Sequence, residues 1–259
     1  MKKGLKYLIF VLCLLLFAAV AVLLCAGASR QRHLVTCTGL DVQLPKEGRF
    51  VSEEDVKGYL QDFYGPYIGE RIDSMDLAKI EAALDRRSAI RKCEAWTTAD
   101  GMLHIGVMQR RPVVRFQLGN DGFYADETGF IFPLQSKYTP LVPVIDGDIP
   151  LNVAKDYKGE PGSEKEQGWI SKILDMLAYM KRSGVWDRDI SQITVQGNGD
   201  LVLSPRQGRE RFIFGEPEDF EAKFSRIEDY YKYIRPAKDS AYYRTVNVKY
   251  DGQIICRQQ

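Results

Sequence analysis

The sequence predicts an α+β protein in three parts: an N-terminal transmembrane helix, a βααββ unit, and a mixed α/β domain dominated by an antiparallel sheet. Three observations carry that reading. The stretch Tyr7 to Ala28, YLIFVLCLLLFAAVAVLLCAGA, is 22 residues without a charge. Two short amphipathic helical patterns lie between strand patterns in the next eighty or so residues. Beyond them come short alternating strands, separated by Asp-Gly and Gly-Asn-Gly turns, and two longer helices.

As a helix, Tyr7 to Ala28 spans about 33 Å, enough for a hydrocarbon core of about 30 Å. Lys2, Lys3 and Lys6 precede it, which keeps residues 1–6 in the cytoplasm and sends the rest across. Ala26-Gly27-Ala28 also resembles a signal-peptidase site, but the apolar run is longer than a signal peptide needs. An uncleaved anchor over residues 7–28 is the expectation.

In the first soluble segment, Leu34 to Leu44 reads as a strand and Ser52 to Asp55 as a capping box. Val56, Tyr59, Leu60 and Phe63 then follow on one helical face, and Gly65-Pro66 ends that helix. Leu77, Ile80 and Leu84 mark a second helix. Two strands flank Ala99-Asp100-Gly101, and in the second Leu103, Ile105 and Val107 alternate with Met102, His104 and Gly106. This segment is expected to form one domain, 34–111. Gln109 to Phe116, QRRPVVRF, closes it: Arg110, Arg111 and Pro112 read as an interdomain junction, with proline holding the exit extended.

The second domain, expected over 112–259, starts with strands at Val113–Leu118, Phe123-Tyr124, Phe130–Phe132 and Val142–Ile145. A helix carries Trp169, Ile170, Ile173, Leu174 and Leu177, and ends at Gly184. Gly197-Asn198-Gly199-Asp200 is a hairpin turn, and Phe212 and Phe214 mark another strand. A last helix, opened by Pro217, places Phe220, Phe224, Ile227, Tyr231 and Ile234 on one face before Pro236. A closing strand begins near Tyr243, and Tyr250 to Gln259, YDGQIICRQQ, stays apolar almost to its last residue.

Composition excludes more chemistry than it suggests. The net charge of +1 implies no polyanionic partner such as nucleic acid. Two histidines, His33 and His104, leave little for a metal site or a histidine triad. Cys37, Cys93 and Cys256 form no C-x-x-C; buried unpaired thiols suit them better than a Cys37–Cys93 bridge or a zinc site. No phosphate loop, nucleophile elbow or zincin motif is present. Asp121, Asp126, Glu127, Asp146 and Asp148 cluster in sequence, yet they occupy turn positions that favour Asp for backbone reasons. No catalytic residue, cofactor or metal is expected. Tyr230, Tyr231, Tyr233, Tyr242, Tyr243 and Tyr250 crowd the last third, a composition shared by cores and protein interfaces.

Taken in order, these patterns resemble the FtsQ/DivIB family of bacterial cell-division proteins. The βααββ unit resembles a POTRA domain. Ile80 to Phe116 is similar to the family's helix, strand and hairpin with their closing signature, here Gln109-Arg110-Arg111-Pro112-Val113-Val114, with Val114 in place of the usual alanine. Phe123 to Leu134 followed by Leu141 to Gly147 is similar to the start of the family's β domain, and VNVKYDGQIICR to its closing strand.

The resemblance implies a non-enzymatic divisome scaffold of the cytoplasmic membrane at the septum. Its partners would be FtsB–FtsL-type coiled-coil proteins, bound by strand addition, and other divisome proteins through the POTRA domain. It places the partner site on Val248, Tyr250, Asp251, Gly252 and Ile254, with Tyr231 on the preceding helix. Locally, Asp251-Gly252 reads as a hairpin turn. The resemblance favours instead a single edge strand, kinked or bulged at that dipeptide and continuing through Ile254–Cys256. A POTRA-type envelope chaperone binding extended clients is the second reading, and an extracytoplasmic hydrolase the third.

Overall fold

The computed structural model describes residues 12–23, 35–46, 50–238 and 242–258. Of the expected anchor, residues 12–23 are helical; the remainder of Tyr7–Ala28 lies outside the described residues. Among the described residues no helix is long and apolar enough to cross a membrane. The rest of the chain divides between Gln109 and Arg110 into two compact units.

The first unit runs β1 (Gly39–Gln43), α1 (Glu53–Phe63), α2 (Leu77–Asp85), β2 (Ile90–Thr97) and β3 (Met102–Gln109). The sheet order is β1-β3-β2, with β1 parallel and β2 antiparallel to β3. The capping box is present: the Ser52 hydroxyl accepts from Asp55 N–H, and the Asp55 carboxylate accepts from Ser52 N–H. Val56, Leu60, Ile80, Leu84, Leu103 and Ile105 are all closed to solvent. Phe63, expected on the buried face, is 49% exposed. The Arg87 guanidinium explains how it is tolerated, lying 4.0 Å from the Tyr59 ring centre and 4.3 Å from that of Phe63. Cys37 and Cys93 are buried and unpaired, and burial pushes the Cys93 thiol up to about 12.

The closing signature has a separate task on each side of the boundary. The Gln109 side chain is buried; its carbonyl accepts from Phe50 N–H at 2.7 Å and its amide donates to Val51 O at 3.1 Å. That pins the segment leading into α1. Arg110 is more than a junction residue. It donates to Asp126 at 2.8 Å with both side chains nearly buried, and stacks over Phe130.

The second unit comprises β4 (Pro112–Leu118), β5 (Asp121–Asp126), β6 (Ile131–Pro133), β7 (Val144–Gly147), α3 (Glu164–Ser183), α4 (Trp186–Asp189), β8 (Ile190–Val195), β9 (Leu201–Pro205), β10 (Arg211–Gly215), α5 (Phe220–Asp229), β11 (Thr245–Asn247) and β12 (Ile255–Arg257). The nine strands form one sheet in the order β12-β11-β10-β9-β8-β7-β4-β5-β6. The pairs β4/β7, β7/β8 and β10/β11 are parallel. The other five are antiparallel, so the antiparallel character holds within a mixed sheet. Inward residues from alternate strand positions, among them Phe116, Ile145, Ile193, Leu203, Phe212 and Val246, pack with Ile173 and Met176 of α3 and Phe224 and Ile227 of α5. Gly147 must be glycine: its φ is +87°, and a Cβ there would lie 2.2 Å from the Val195 carbonyl oxygen.

Two expectations are corrected. The last helix starts at Phe220, three residues after Pro217, and Asp219 before it has φ +47°. It also does not keep one period to Pro236. Tyr230–Ile234 form a π-helical turn in which Arg235 N–H bonds Tyr230 O, followed by a 3₁₀ turn over Arg235–Ala237. The widened turn shifts the face, so Tyr230 is fully buried while Tyr231 is partly buried, packed against the core.

The closing strand is the second correction. Val248 to Ile254 do not run along an edge strand. β11 is three residues long, and β12 folds back on it antiparallel, with Thr245 opposite Arg257, Val246 opposite Cys256 and Asn247 opposite Ile255. Gly252, at φ +66°, supplies the left-handed residue of the reversal. The local Asp-Gly signal was the right one.

Candidate functional site

The C-terminal hairpin forms one end of the nine-stranded sheet. β12 has β11 on one side and, among the described residues, no strand on the other. Its backbone donors and acceptors on that side are a template for another strand. Ile255 is 37% exposed, Arg257 is exposed, and Cys256 is half-buried against the core, which raises its thiol pKa.

The loop that precedes β12 is held at several points. Val248 is fully buried, and its N–H donates to Ile213 O at 3.0 Å. Lys249 Nζ reaches both oxygens of Asp200, at 2.8 and 2.9 Å, and that carboxylate raises the lysine pKa. Arg226 of α5 donates from Nε to Val248 O and from Nη1 to Asp251, each at 3.0 Å. The Arg226 side chain is only 12% exposed, whereas the Asp251 side chain stands in solvent. Ile254 packs at the core margin. The result is a clamped loop presenting Tyr250, 49% exposed, next to an open strand edge.

The six residues expected to bind a partner therefore separate. Val248, Tyr250, Asp251, Gly252 and Ile254 share this loop, with Val248 as a buried anchor rather than a contact surface. Tyr231 does not join them. It packs edge-on against Phe212 and Tyr230, near the start of β10, while Lys249 lies against Gly215 at the strand's end. Burial, and then the nearby Glu210 charge, hold the Tyr231 phenol far above its ordinary range. Sequence reasoning missed Arg226, Lys249 and the β12 residues Ile255 to Arg257. Only the apolar run Ile254–Cys256 hinted at the last; the Arg226 contacts span more than twenty residues and leave no local signal.

Two members of the carboxylate cluster, Asp126 and Asp146, hold structural partners. Asp126 accepts from Thr128 N–H at 2.9 Å and Phe130 N–H at 3.2 Å besides Arg110. Asp146 accepts from Gln192 at 2.6 Å. Among the described residues no group of three or more His, Cys, Asp or Glu could hold a metal ion.

Fold and edge together define a class: a protein with a POTRA-like unit followed by a sheet that presents its last strand. A family model for the POTRA-like domain matches residues 35–108. A second, described as FtsQ/DivIB, C-terminal related, matches residues 111–257, more than half of the chain. The chain belongs to the FtsQ/DivIB family, whose members are non-enzymatic cell-division proteins of the envelope at the division septum. No curated protein matches the chain.

Proposed function

We propose that the protein is a divisome scaffold that links early and late division proteins by binding FtsB–FtsL-type coiled-coil partners outside the cytoplasmic membrane. The uncharged stretch Tyr7 to Ala28 would anchor it, with residues 1–6 in the cytoplasm, the POTRA domain over 34–111 and the β domain over 112–259. The observation that carries the proposal is the edge of β12, unpaired among the described residues, beside the clamped Tyr250 loop. A partner strand laid along Ile255–Arg257 gains backbone hydrogen bonds, and Tyr250 and Ile255 supply side-chain selectivity. Asp251 and Gly252 shape the loop, and Val248 and Ile254 root it in the core.

The test is co-purification of the full chain with FtsB–FtsL-type partners in two variants: Tyr250→Ala, and a truncation after Ile254. Both should keep a cooperative thermal transition, because Tyr250 is half exposed and, of the side chains the truncation removes, Cys256 lies only at the core margin; both should lose the partners. Undiminished recovery of the partners by both would sink the proposal. Dispersed rather than midcell fluorescence of a tagged full chain would instead favour an envelope chaperone.

A further inference from the structure

Tyr231 lies in a groove that strand addition does not use. The groove, of about 600 Å³, runs between α4, the end of β9 and the π-helical turn after α5. Arg188, Arg206, Lys232 and Arg235 line it, against two acids, Asp189 and Glu228. Arg188, Arg206 and Lys232 form no ion pair among the described residues; Arg235 only approaches the buried Glu210, at 3.8 Å. Two of the cations are oriented by backbone. Arg188 Nε donates to Gly184 O at 3.0 Å, and Arg206 Nε donates to Arg188 O at 3.1 Å. Lys232, on the π-helical turn, and Arg235, on the 3₁₀ turn after it, both line the groove. Between these charges the surface is apolar and aromatic, with Val185 46% exposed and Trp186 and Tyr231 beneath.

We infer that this groove is a second docking site, and that its occupant is an acidic amphipathic segment of a partner protein. Four cations in one concavity, two of them oriented by backbone and three without a carboxylate partner among the described residues, call for an anionic complement. The aromatic floor calls for an apolar side on the same ligand. A free phosphate fits less well. It needs donors converging on one point, whereas these cations come from separate elements along a groove. Asp189 and Glu228, set among them, would repel a compact polyanion but can pair with a cation inside a peptide. The site is independent of β12 and does not rest on the proposed function.

The probe is a fluorescein-labelled peptide of Glu and Leu at helical spacing, with a counterpart carrying Gln for every Glu. Anisotropy titrations of the full chain in neutral detergent should show binding of the Glu peptide that weakens steeply with salt. Arg206→Glu combined with Lys232→Glu should weaken it about tenfold or more, while Arg206→Lys combined with Lys232→Arg should retain it. Truncation after Ile254 should leave it unchanged. Equal binding by the charge-reversed protein, equal binding of the Gln peptide, or displacement by millimolar inorganic phosphate at constant ionic strength would overturn the inference. Thermal melts of both double variants establish that a lost signal is not lost folding.

Discussion

The nine-stranded sheet has two edges, and they are treated in opposite ways. β6 is three residues long, its Ile131 and Phe132 are fully buried, and it ends in Pro133. Its outer side is occupied: Ile131 N–H donates to Gly159 O at 2.8 Å, and Gly159 N–H returns a bond to Ile131 O at 2.9 Å. β12 is equally short, yet two of its three residues are exposed and no strand or bridge covers its outer side among the described residues. Exposed edges invite unwanted pairing, and proteins shorten, charge or cover them. This sheet covers one edge and leaves the other open, guarded only by its brevity and Arg257. An edge left open on a sheet that closes the other suits the partner strand proposed for it.

Breaking the closed side should cost most. Asp126→Ala strips the nearly buried Arg110 of its partner next to β6, and removing one member of a buried pair costs about 3–5 kcal/mol. Thermal or urea unfolding measures it; a loss under about 1 kcal/mol would mean that water replaces the carboxylate at no cost. Arg226→Ala tests the open side. It removes charge-assisted hydrogen bonds worth about 1.5–3 kcal/mol each at most, and should weaken partner capture because the Tyr250 loop loses its strut. Asp251→Ala, at the exposed end of the same strut, should cost about 1 kcal/mol or less. If the two variants bind partner alike, the strut does not position the loop. A subtler change is Gly159→Val, which places a β-branched residue at φ +148° and loosens the cover over β6. The expected result is concentration-dependent self-association in sedimentation, through an edge that was closed before.

Much of this contrast was legible in sequence, and the exceptions have physical causes. The capping box at Ser52 and the apolar periods of α2 and α3 are local, so local rules found them. Asp251-Gly252 was also local, and its hairpin signal held against the longer edge strand that the family resemblance favoured. What local rules cannot give is which backbone finds which partner. β12 pairs with β11 only because the reversal at Gly252 returns it there, and Gly159 covers Ile131 from a loop nearly thirty residues on. The face after α5 departs from the sequence reading for a different reason. A 3.6-residue period assumes a regular helix, and one π-helical turn was enough to put Tyr230 fully into the core with Tyr231 packed at its margin.

A third edge gives the mildest test. β1 borders the small sheet, and its Asp41 accepts from His104 Nδ1 of β3 at 2.9 Å, with Trp96 stacked on the imidazole. The hydrogen bond from His104 is the main cause of a lowered Asp41 pKa. A carboxylate whose folded pKa is depressed adds stability that is fully present above its unfolded pKa and lost as pH falls through the folded value. The tie across β1 and β3 should therefore be intact near neutral pH and released only below the ordinary carboxylate range. Asp41 is solvent-exposed, so the effect on global unfolding should be slight and the titration itself is the readout. Carboxyl-carbon NMR of the full chain should place Asp41 below a free aspartate, and His104→Phe should return it toward the ordinary value. An unchanged Asp41 titration in that variant would mean that the imidazole does not hold this edge, leaving the backbone pairing of β1 with β3 to do so alone.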